Sequence, residues 1–473
     1  LMARMKQWQQ TGHPARLWHP ISNDRIQCEL CPRACKINLG RTGTCKLRRN
    51  ENGSLVTLNY GKSVPMTQES IETEAVYHYA PGERILSLGN IGCMLRCDFC
   101  QNWSTSQARY VQDSNVAYYS PEDVVNYALK HNIRVLSWTY NDPIVWHEFV
   151  MDTAKLAREH GLKNLYKSAF YISEKAIDEL LGVMDIFSIS LKSMQDSFYR
   201  KHTGGRLQPV LDGIKQVYDA RKSTNSPHLE VSNLCVTGRN DSLEEAKKVT
   251  DWMLKYLDAD IPLHYVRFHP DYQYRHVERT SIPFLEQARQ QALNEGMRYV
   301  YVGNVFDTDS ANSYCPECHT LLVKRSGLIA QSHLENGQCP HCHFQPSIIL
   351  PWAGSNTDKL SEHIPDDFIC ITHPFRGPVQ ACHIEQKNDS PIYYQFITRQ
   401  GEPVGPISTN SCHRFMLSKS SPKAEGIRLY HHQNEPCQVF EVYDRAHFPV
   451  TEAEKTHLGS ENVPITLIPL KGR

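Results

Sequence analysis

The sequence lacks any apolar run that approaches the roughly 18 residues a membrane-spanning helix needs. Its first ten residues are polar and carry no apolar core of the kind found in a signal peptide. Neither sign of charge is in excess, because 51 basic residues balance 51 acidic ones. This balance argues against a polyelectrolyte partner such as nucleic acid. We therefore expect a soluble, cytoplasmic protein with neither a membrane nor a nucleic-acid partner.

Cysteine, by contrast, is present in an unusual pattern. Eleven of the sixteen cysteines fall into three tight groups. In a reducing compartment, such groups indicate metal binding or catalysis rather than disulfide formation. The other five are widely spaced and are expected to be buried free thiols: Cys235, Cys370, Cys382, Cys412 and Cys437.

The most informative group has the spacing C-x3-C-x2-C and consists of Cys93, Cys97 and Cys100. It follows a short apolar strand predicted at residues 84–89, and Phe99 precedes its last member. Thiolates ligate iron–sulfur clusters, and three of them leave one iron of a four-iron cluster open. The alternative is a structural role, as a buried cluster or part of a zinc site, but a zinc site needs a fourth ligand that is not obvious here.

The other two groups each contain four cysteines. Cys315 and Cys318 form one C-x2-C pair, and Cys339 and Cys342 form another, with 20 residues between the pairs. This spacing predicts a zinc ribbon with a structural ion, the alternative being an auxiliary iron–sulfur cluster or a rubredoxin-like iron. The remaining group lies near the N-terminus, and its metal is either zinc or an auxiliary iron–sulfur cluster. Its members are Cys28, Cys31, Cys35 and Cys45.

Short apolar strands alternate with amphipathic helices from about residue 84 to residue 303. Six or seven such units predict an α/β fold with a parallel sheet and right-handed crossovers. We favour a partial, TIM-like (β/α) barrel, whose chemistry would lie at the carboxyl ends of the strands. A doubly wound sheet is the alternative, although no glycine-rich phosphate loop follows the first strand.

The chain is predicted to have four parts. Residues 1–80 form a cysteine-rich metal-binding segment, and residues 81–308 form the partial barrel. Residues 309–352 form the zinc ribbon, and residues 353–473 form a small β-rich domain of unknown role. Strands in that last part are predicted at 379–384, 392–398 and 438–443.

Polar residues stand at several predicted strand ends, where they could hold a cofactor. Asn141 and Asp142 follow the second strand and could accept an ammonium group. Lys192 ends the fourth strand and could pair with a carboxylate. His264 lies on a late strand, where it shares one face with Val266 while the neighbouring residues take the other face.

Together these segments resemble a known family. The sequence is similar to the radical S-adenosylmethionine (SAM) proteins of the AmmeMemoRadiSam system, which are relatives of pyruvate formate-lyase activating enzyme. The resemblance covers about two thirds of the chain. It rests on Cys-Glu-Leu-Cys-Pro-Arg-Ala-Cys at 28–35, Gly-Cys-Met-Leu-Arg-Cys-Asp-Phe-Cys-Gln-Asn-Trp at 92–103, Thr-Tyr-Asn-Asp-Pro at 139–143, Pro-Leu-His at 262–264, Arg-Phe-His-Pro-Asp-Tyr at 267–272, Tyr-Val-Gly-Asn at 301–304 and the ribbon cysteines.

The resemblance implies a role for each candidate residue. Cys93, Cys97 and Cys100 would ligate a [4Fe–4S] cluster, and the open iron would bind the amino and carboxylate groups of SAM. Asn141 and Asp142 would lie at the SAM amine, while Lys192 and His264 would lie near its carboxylate and ribose.

The sequence also departs from the family pattern. Ser168-Ala169-Phe170 stands where relatives have Thr-Asn-Gly, so that Ser168 takes a cofactor-binding place and Phe170 adds bulk where glycine was. Ser190-Leu191-Lys192 replaces Asp-x-Lys, and the motif acid is an aspartate rather than a glutamate. From these differences we expect SAM cleavage to be retained and the substrate pocket to be altered.

The resemblance therefore implies a radical SAM enzyme of the oxidoreductase, activating or modifying type. Reduced flavodoxin or ferredoxin would supply the electron, and a 5′-deoxyadenosyl radical would abstract hydrogen from an unidentified substrate, with a peptide or protein as the candidate class. The alternative is a catalytically silent binding or scaffold protein derived from the same fold, which only the altered strand-end motifs support.

Overall fold

The computed structural model describes residues 6–305 and 308–352 together with nine strands of the tail. The contacts within the chain divide it into two compact units. The first comprises residues 1–66, 74–79 and 85–304, and the second comprises residues 67–73, 80–84 and 305–473. The cysteine-rich segment and the predicted barrel region thus belong mainly to one unit rather than to two.

The first unit is built on seven parallel strands, the first of which has the predicted bounds 84–89. They are β1 (Arg84–Gly89), β2 (Val135–Thr139), β3 (Lys163–Ser168), β4 (Ile186–Ser190), β5 (His228–Cys235), β6 (Leu263–Arg267) and β7 (Val300–Gly303). The strands lie side by side in the order of the sequence, from β1 to β7. A doubly wound sheet requires a reversal in strand order, and these seven strands contain none.

A helix of eight or more residues connects each pair of consecutive strands. The six helices are α1 (Pro121–Lys130), α2 (His147–Glu159), α3 (Glu174–Leu181), α4 (Leu207–Arg221), α5 (Leu243–Tyr256) and α6 (Ile282–Asn294). Several begin at serine caps. The Ser120 side chain accepts a hydrogen bond from the backbone of Asp123 in a complete capping box. Ser173 and Ser242 cap α3 and α5 by accepting one backbone hydrogen bond each. None of the described helices is both long and apolar enough to cross a bilayer.

The two faces of the sheet differ in character. Tyr265 of β6 donates a hydrogen bond to the Ala246 carbonyl of α5 at 2.9 Å, so this residue faces the helices. Its neighbour His264 faces the opposite side because side chains alternate along a strand. That opposite face is polar and is covered by the segment Glu74–Tyr79. Its Glu74 carboxylate accepts hydrogen bonds from Ser137 and Thr139 of β2 at 2.9 and 2.8 Å.

Short strands precede the parallel sheet, and two small antiparallel sheets among them carry the first cysteine group. Cys28 ends one of these strands, and its backbone N–H donates to the Cys35 carbonyl at 2.9 Å, which closes a hairpin. The strands are His13–Pro14, Trp18–Ile21, Arg25–Cys28, Lys36–Ile37, Arg48–Glu51, Ser54–Thr57, Lys62–Ser63 and Thr67–Ser70, with Ala117–Tyr118 pairing later with Lys62–Ser63.

The second unit contains a three-stranded antiparallel sheet and the strands of the tail. The sheet is formed by Ser313–Tyr314, Leu321–Ser326 and Ile329–Ser332. The tail strands are Phe368–Pro374, Val379–Gln386, Ile392–Ile397, Ser408–Asn410, Arg414–Ser418, Gly426–His432, Cys437–Tyr443, Lys455–Leu458 and Val463–Pro469. Three of these match the predicted strands. The side chains of Cys370, Cys382, Cys412 and Cys437 lie outside the described residues.

Candidate functional site: a cysteine loop at the strand ends

The loop that follows β1 carries Cys93, Cys97 and Cys100 at the carboxyl end of the sheet. The first turn of this loop requires glycine at position 92. Its φ of 91° lies in a region that side chains disfavour, and a Cβ at this position would overlap Leu47 Cδ1. The Gly92 backbone N–H also donates to the Thr105 carbonyl at 2.8 Å. Only glycine fits this entry point.

The loop is held firmly in the fold. The ring of Phe99 is buried in a cluster with Phe198, Val236, Phe268 and Tyr274, which come from segments that follow other strands. This burial explains the aromatic residue before the last cysteine. The cluster anchors the loop to the end of the sheet that holds the candidate cofactor residues.

Hydrogen bonds reinforce this anchoring. The backbone N–H groups of Arg96 and Asp98 donate to the carbonyls of Thr203 and His202 at 2.9 and 3.0 Å. The Asp98 carboxylate also lies 2.8 Å from Nδ1 of His202. The short turn Tyr199–Thr203 therefore fixes the loop through both backbone and side-chain contacts.

The three loop thiols are free and half-buried. Burial raises the pKa of Cys97 to about 12 and raises the pKa of the other two thiols as well. Cys97 interacts electrostatically with both Cys93 and Cys100, so the thiols are close enough to act on one another. Three neighbouring free thiols without a fourth cysteine on the loop are a suitable donor set for a [4Fe–4S] cluster with one open iron.

Asp142 and Ser168, two of the predicted cofactor residues, are joined by a hydrogen bond beside this loop. Asp142 follows β2 and accepts hydrogen bonds from the Ser168 hydroxyl at 3.0 and 2.9 Å and from the Ala169 backbone N–H at 2.8 Å. Burial raises the pKa of Asp142 to about 6, although these hydrogen bonds favour its ionised form. The structure thus joins the ends of β2 and β3 through a buried carboxylate.

Lys192 and Asn141 lie in the same region. The half-buried Lys192 ammonium acts electrostatically on Asp142, Cys97 and Cys100. The Asn141 amide donates to the Asn90 carbonyl at 2.6 Å and contacts the hydroxyl of Thr105 at 3.1 Å. Asn141 therefore ties the strand end to the loop. Of the predicted cofactor residues, Asp142 and Lys192 act electrostatically on the loop cysteines. Ser168 is hydrogen-bonded to Asp142.

The remaining predicted cofactor residue is His264. It is fully buried, and its Nε2 lies 2.6 Å from the Glu230 carboxylate on the polar face of the sheet. Glu230 also contacts His228 Nε2 at 2.9 Å and accepts backbone hydrogen bonds from Tyr77 and His78. The carboxylate therefore holds the covering segment on the sheet, and His264 is one of its partners.

Phe170 departs from the expectation that it adds bulk to the pocket. Its backbone keeps the left-handed conformation that glycine prefers, with a φ of 59°. Its ring is fully buried against Phe187, with a centroid distance of 5.7 Å. It also packs on Gly213 of α4, where a Cβ would lie 3.0 Å from Phe170 Cδ1. The ring enters the core beneath α4, so its bulk occupies the core.

The ribbon cysteines converge as their spacing predicts. The Sγ atoms of Cys315 and Cys342 are 3.6 Å apart, those of Cys318 and Cys339 are 3.5 Å apart, and all four lie within 4.8 Å of one another. Tetrahedral zinc with Zn–S bonds of about 2.3 Å holds its sulfurs about 3.8 Å apart. These thiols therefore suit a single metal ion.

The N-terminal cysteines are arranged differently. Cys28, Cys31, Cys35 and Cys45 line one pocket, together with Arg48 and Met94. Burial raises the pKa of Cys31 to about 12 and that of Cys45 to about 11. Among the described residues, the ribbon is the one set of cysteines, histidines and acids whose ligand atoms all converge within 4.8 Å. The pocket therefore gathers its thiols around a wider space.

Several residues that shape the site gave no signal in the sequence. Asp98 and His202 are 104 positions apart, and Trp103 donates to Asp271 across 168 positions. Arg48 and Glu148, which pair beside the N-terminal pocket, are 100 positions apart. Spacing and periodicity report on local structure, so these long-range partners could have been found only from the fold.

Comparison with known proteins identifies the class. Residues 90–253 match the radical SAM superfamily. An uncharacterized protein of Methanocaldococcus jannaschii is 35% identical over 341 residues, which cover 71% of this chain and 99% of that protein. Residues 90–253 therefore form a radical SAM domain, and the chain belongs to the protein family that it shares with the Methanocaldococcus protein.

More distant similarities are found as well. A probable GTP 3′,8-cyclase of Methanococcus aeolicus is 21% identical over 251 residues, covering 50% of this chain and 80% of that protein. Among solved structures, Streptococcus suis SuiB bound to its precursor peptide matches with a TM-score of 0.38 at 11% identity, covering 50% of this chain and 52% of that chain. A domain of pyruvate-formate lyase-activating enzyme from Bacteroides vulgatus matches with a TM-score of 0.30 at 16% identity, covering 36% and 98%.

Proposed function

We propose that this protein is a radical SAM enzyme of the AmmeMemoRadiSam type, built on a partial (β/α) barrel. The observation that carries the proposal is the group of three free thiols at the strand ends, beside Asp142, Ser168 and Lys192. A [4Fe–4S] cluster held by Cys93, Cys97 and Cys100 would supply the electron that cleaves SAM to a 5′-deoxyadenosyl radical.

The residues around the loop would bind and orient SAM. The negatively charged form of Asp142 is the partner we propose for the SAM ammonium, and the Lys192 ammonium is the partner for the SAM carboxylate. Ser168 would keep the Asp142 carboxylate in place, and Asn141 would hold the loop against the end of β2. His264 would contribute through Glu230 and the covering segment rather than through the SAM ribose.

Four further assignments belong to the proposal. Reduced flavodoxin or ferredoxin would be the electron donor, and a peptide or protein would be the substrate class. Zinc would occupy the ribbon, because the sulfur separations of 3.5 and 3.6 Å are close to those of a tetrahedral zinc site. We place the protein in the cytoplasm, where thiols stay reduced.

The decisive experiment is an anaerobic assay for 5′-deoxyadenosine. The reconstituted protein is given SAM and dithionite, and it is compared with a variant that combines Cys93→Ala, Cys97→Ala and Cys100→Ala. We expect product from the native protein and none from the triple variant. Cys235→Ala is the control, since this buried thiol on β5 lies outside the loop.

The assay also tests the second candidate, a silent scaffold. The altered motif Ser168-Ala169-Phe170 is the observation that favours it. A reconstituted native protein that binds SAM but forms no 5′-deoxyadenosine with any electron donor would contradict the proposed enzyme and support the scaffold.

A further inference from the structure

The N-terminal pocket brings together four thiols from separate turns of the chain. Cys28, Cys31 and Cys35 come from one hairpin, and Cys45 comes from the turn that follows Gly43. A Cβ on Gly43 would lie 3.6 Å from Cys35 Sγ, so the glycine leaves room beside that sulfur. The rest of the lining is mostly apolar and consists of Leu30, Ile37, Met94, Ile144 and Val145, with the side chains of Arg33 and Arg48.

The distances between the thiols distinguish a single metal ion from a four-iron cluster. Within the same structure, the ribbon thiols converge within 4.8 Å of one another, as a single ion requires. No three thiols of the N-terminal pocket form such a compact group among the described residues. A four-iron cluster suits this arrangement, because each thiolate binds a different iron at a corner of the cube and the sulfurs need not meet at one point.

Arg48 supplies an independent observation. Its side chain is 2% exposed and pairs with Glu148 through Nη2 at 2.9 Å. Its Nε and Nη1 groups are buried and have no hydrogen-bond acceptor among the described residues. Buried N–H groups are normally satisfied. The guanidinium lines the pocket and acts electrostatically on three of its thiols.

Arg33 repeats this pattern on the side of the pocket that adjoins the cysteine loop. Its Nε donates to the Met94 carbonyl at 2.8 Å, and its buried Nη2 has no acceptor in the described part of the chain. Met94 is the residue after Cys93. An occupant with several acceptor atoms would satisfy the free donors of both arginines, and bridging sulfides are such acceptors.

We propose that Cys28, Cys31, Cys35 and Cys45 hold an auxiliary [4Fe–4S] cluster, with Arg33 and Arg48 as hydrogen-bond donors to its sulfurs. This site is separate from the loop cluster of the proposed function and does not depend on it. All four irons would be ligated by protein thiolates, so the auxiliary cluster would leave no iron open for SAM. Its chemistry would be limited to accepting and releasing one electron.

The test is carried out on the full chain with the loop cysteines removed. The triple variant Cys93→Ala, Cys97→Ala and Cys100→Ala is reconstituted anaerobically with iron and sulfide, and its iron, sulfide and zinc contents are measured. We expect about four irons and four sulfides per chain, as one [4Fe–4S] cluster requires. Adding Cys31→Ala and Cys45→Ala to the triple variant is expected to abolish this iron and sulfide while the ribbon metal remains.

Every other outcome overturns the proposal. Zinc at two ions per chain without sulfide would assign the pocket to zinc, and a single iron without sulfide would be a ribbon ion. A triple variant that is folded by circular dichroism and holds neither metal in the pocket would leave the pocket without a cluster. Product assays play no part in these readings, so failure of the proposed SAM cleavage would not be confused with failure of this site.

The arginines provide a second readout. Arg33→Gln removes a donor and a positive charge from the pocket while all four thiols remain. We expect the variant to keep its iron and sulfide content and to shift the midpoint potential of the auxiliary cluster to a more negative value, since the reduced, more negative cluster loses a hydrogen-bond donor. An unchanged midpoint potential would contradict the role of Arg33 as a hydrogen-bond donor to the cluster. Arg200→Gln, at an exposed ion pair outside the pocket, is the matched control.

Discussion

Glu179 shows how a single carboxylate joins two parts of the first unit. Its carboxylate lies 2.7 Å from Nε2 of the buried His147 and accepts hydrogen bonds from the Arg16 guanidinium at 2.9 and 3.1 Å. The hydrogen bond with His147 and those with Arg16 hold the pKa of Glu179 at about 2. The carboxylate is thus favoured in the folded state over the unfolded state, where its pKa is about 4.3.

We predict that Glu179→Gln lowers the free energy of unfolding by about 1–2 kcal/mol at pH 7, a value reduced for the partial exposure of the pair. Because the folded pKa is depressed, this contribution is present above about pH 5 and is lost as the pH falls towards 2. Urea unfolding at pH 7 and pH 3 measures it. Glu159→Gln, at the exposed end of α2, is the control, and an equal difference at both pH values would contradict the prediction.

The ring of Phe170 leads to a second prediction at the residue scale. The left-handed backbone at Phe170 costs about 1 kcal/mol of stability, which Phe170→Gly would recover. The same substitution would remove a buried ring that contributes about 3–5 kcal/mol. We expect a net loss of about 2–4 kcal/mol in thermal or urea unfolding. Phe170→Leu should lose less because it keeps part of the packing. A glycine variant as stable as the native protein would show that the ring does not support the core.

At the scale of elements, the conformation of the cysteine loop depends on the positive φ of Gly92 at its start. Gly92→Ala adds both an unfavourable φ and an overlap with the buried Leu47. We predict that the loop loses its cluster and that stability falls by about 2 kcal/mol or more. Iron content after reconstitution and thermal unfolding measure the two effects.

The control for this prediction is Gly161→Ala. Gly161 also has a positive φ, of 76°, but a Cβ there would meet no atom within 4 Å. Its cost should therefore be the backbone strain alone, about 1 kcal/mol, with normal iron content. If both variants behaved alike, contact with Leu47 would not be what limits residue 92.

The elements also show what the sequence can and cannot predict. The alternation of strands and helices between residues 84 and 303 was predicted, because apolar periodicity is a local signal. His264 was correctly placed on a strand, but its partner Glu230 lies 34 residues away and could not be inferred. Phe170 occupies a glycine-like backbone, and only the packing against Phe187 shows where its ring goes.

At the scale of the whole molecule, the ribbon metal is predicted to stabilise the sheet of the second unit. Its cysteines share a small core with Leu322, Val323 and Ile348. Cys318→Ser with Cys339→Ser should remove about one zinc per chain. Faster hydrogen exchange is expected at residues 313–348. Unchanged exchange in a metal-free variant would show that the ribbon folds without its ion.

The segment Glu74–Tyr79 determines where an independently folding core of this protein can begin. Glu230 accepts backbone hydrogen bonds from Tyr77 and His78, and the Glu74 carbonyl accepts from Lys167 at 3.0 Å. A fragment trimmed to residues 90–253, the region that matches the radical SAM superfamily, would leave the buried Glu230 and the half-buried Lys167 without these partners. The parallel sheet of this chain is therefore completed by residues that precede its first parallel strand, and shortened versions for crystallography or engineering must retain them.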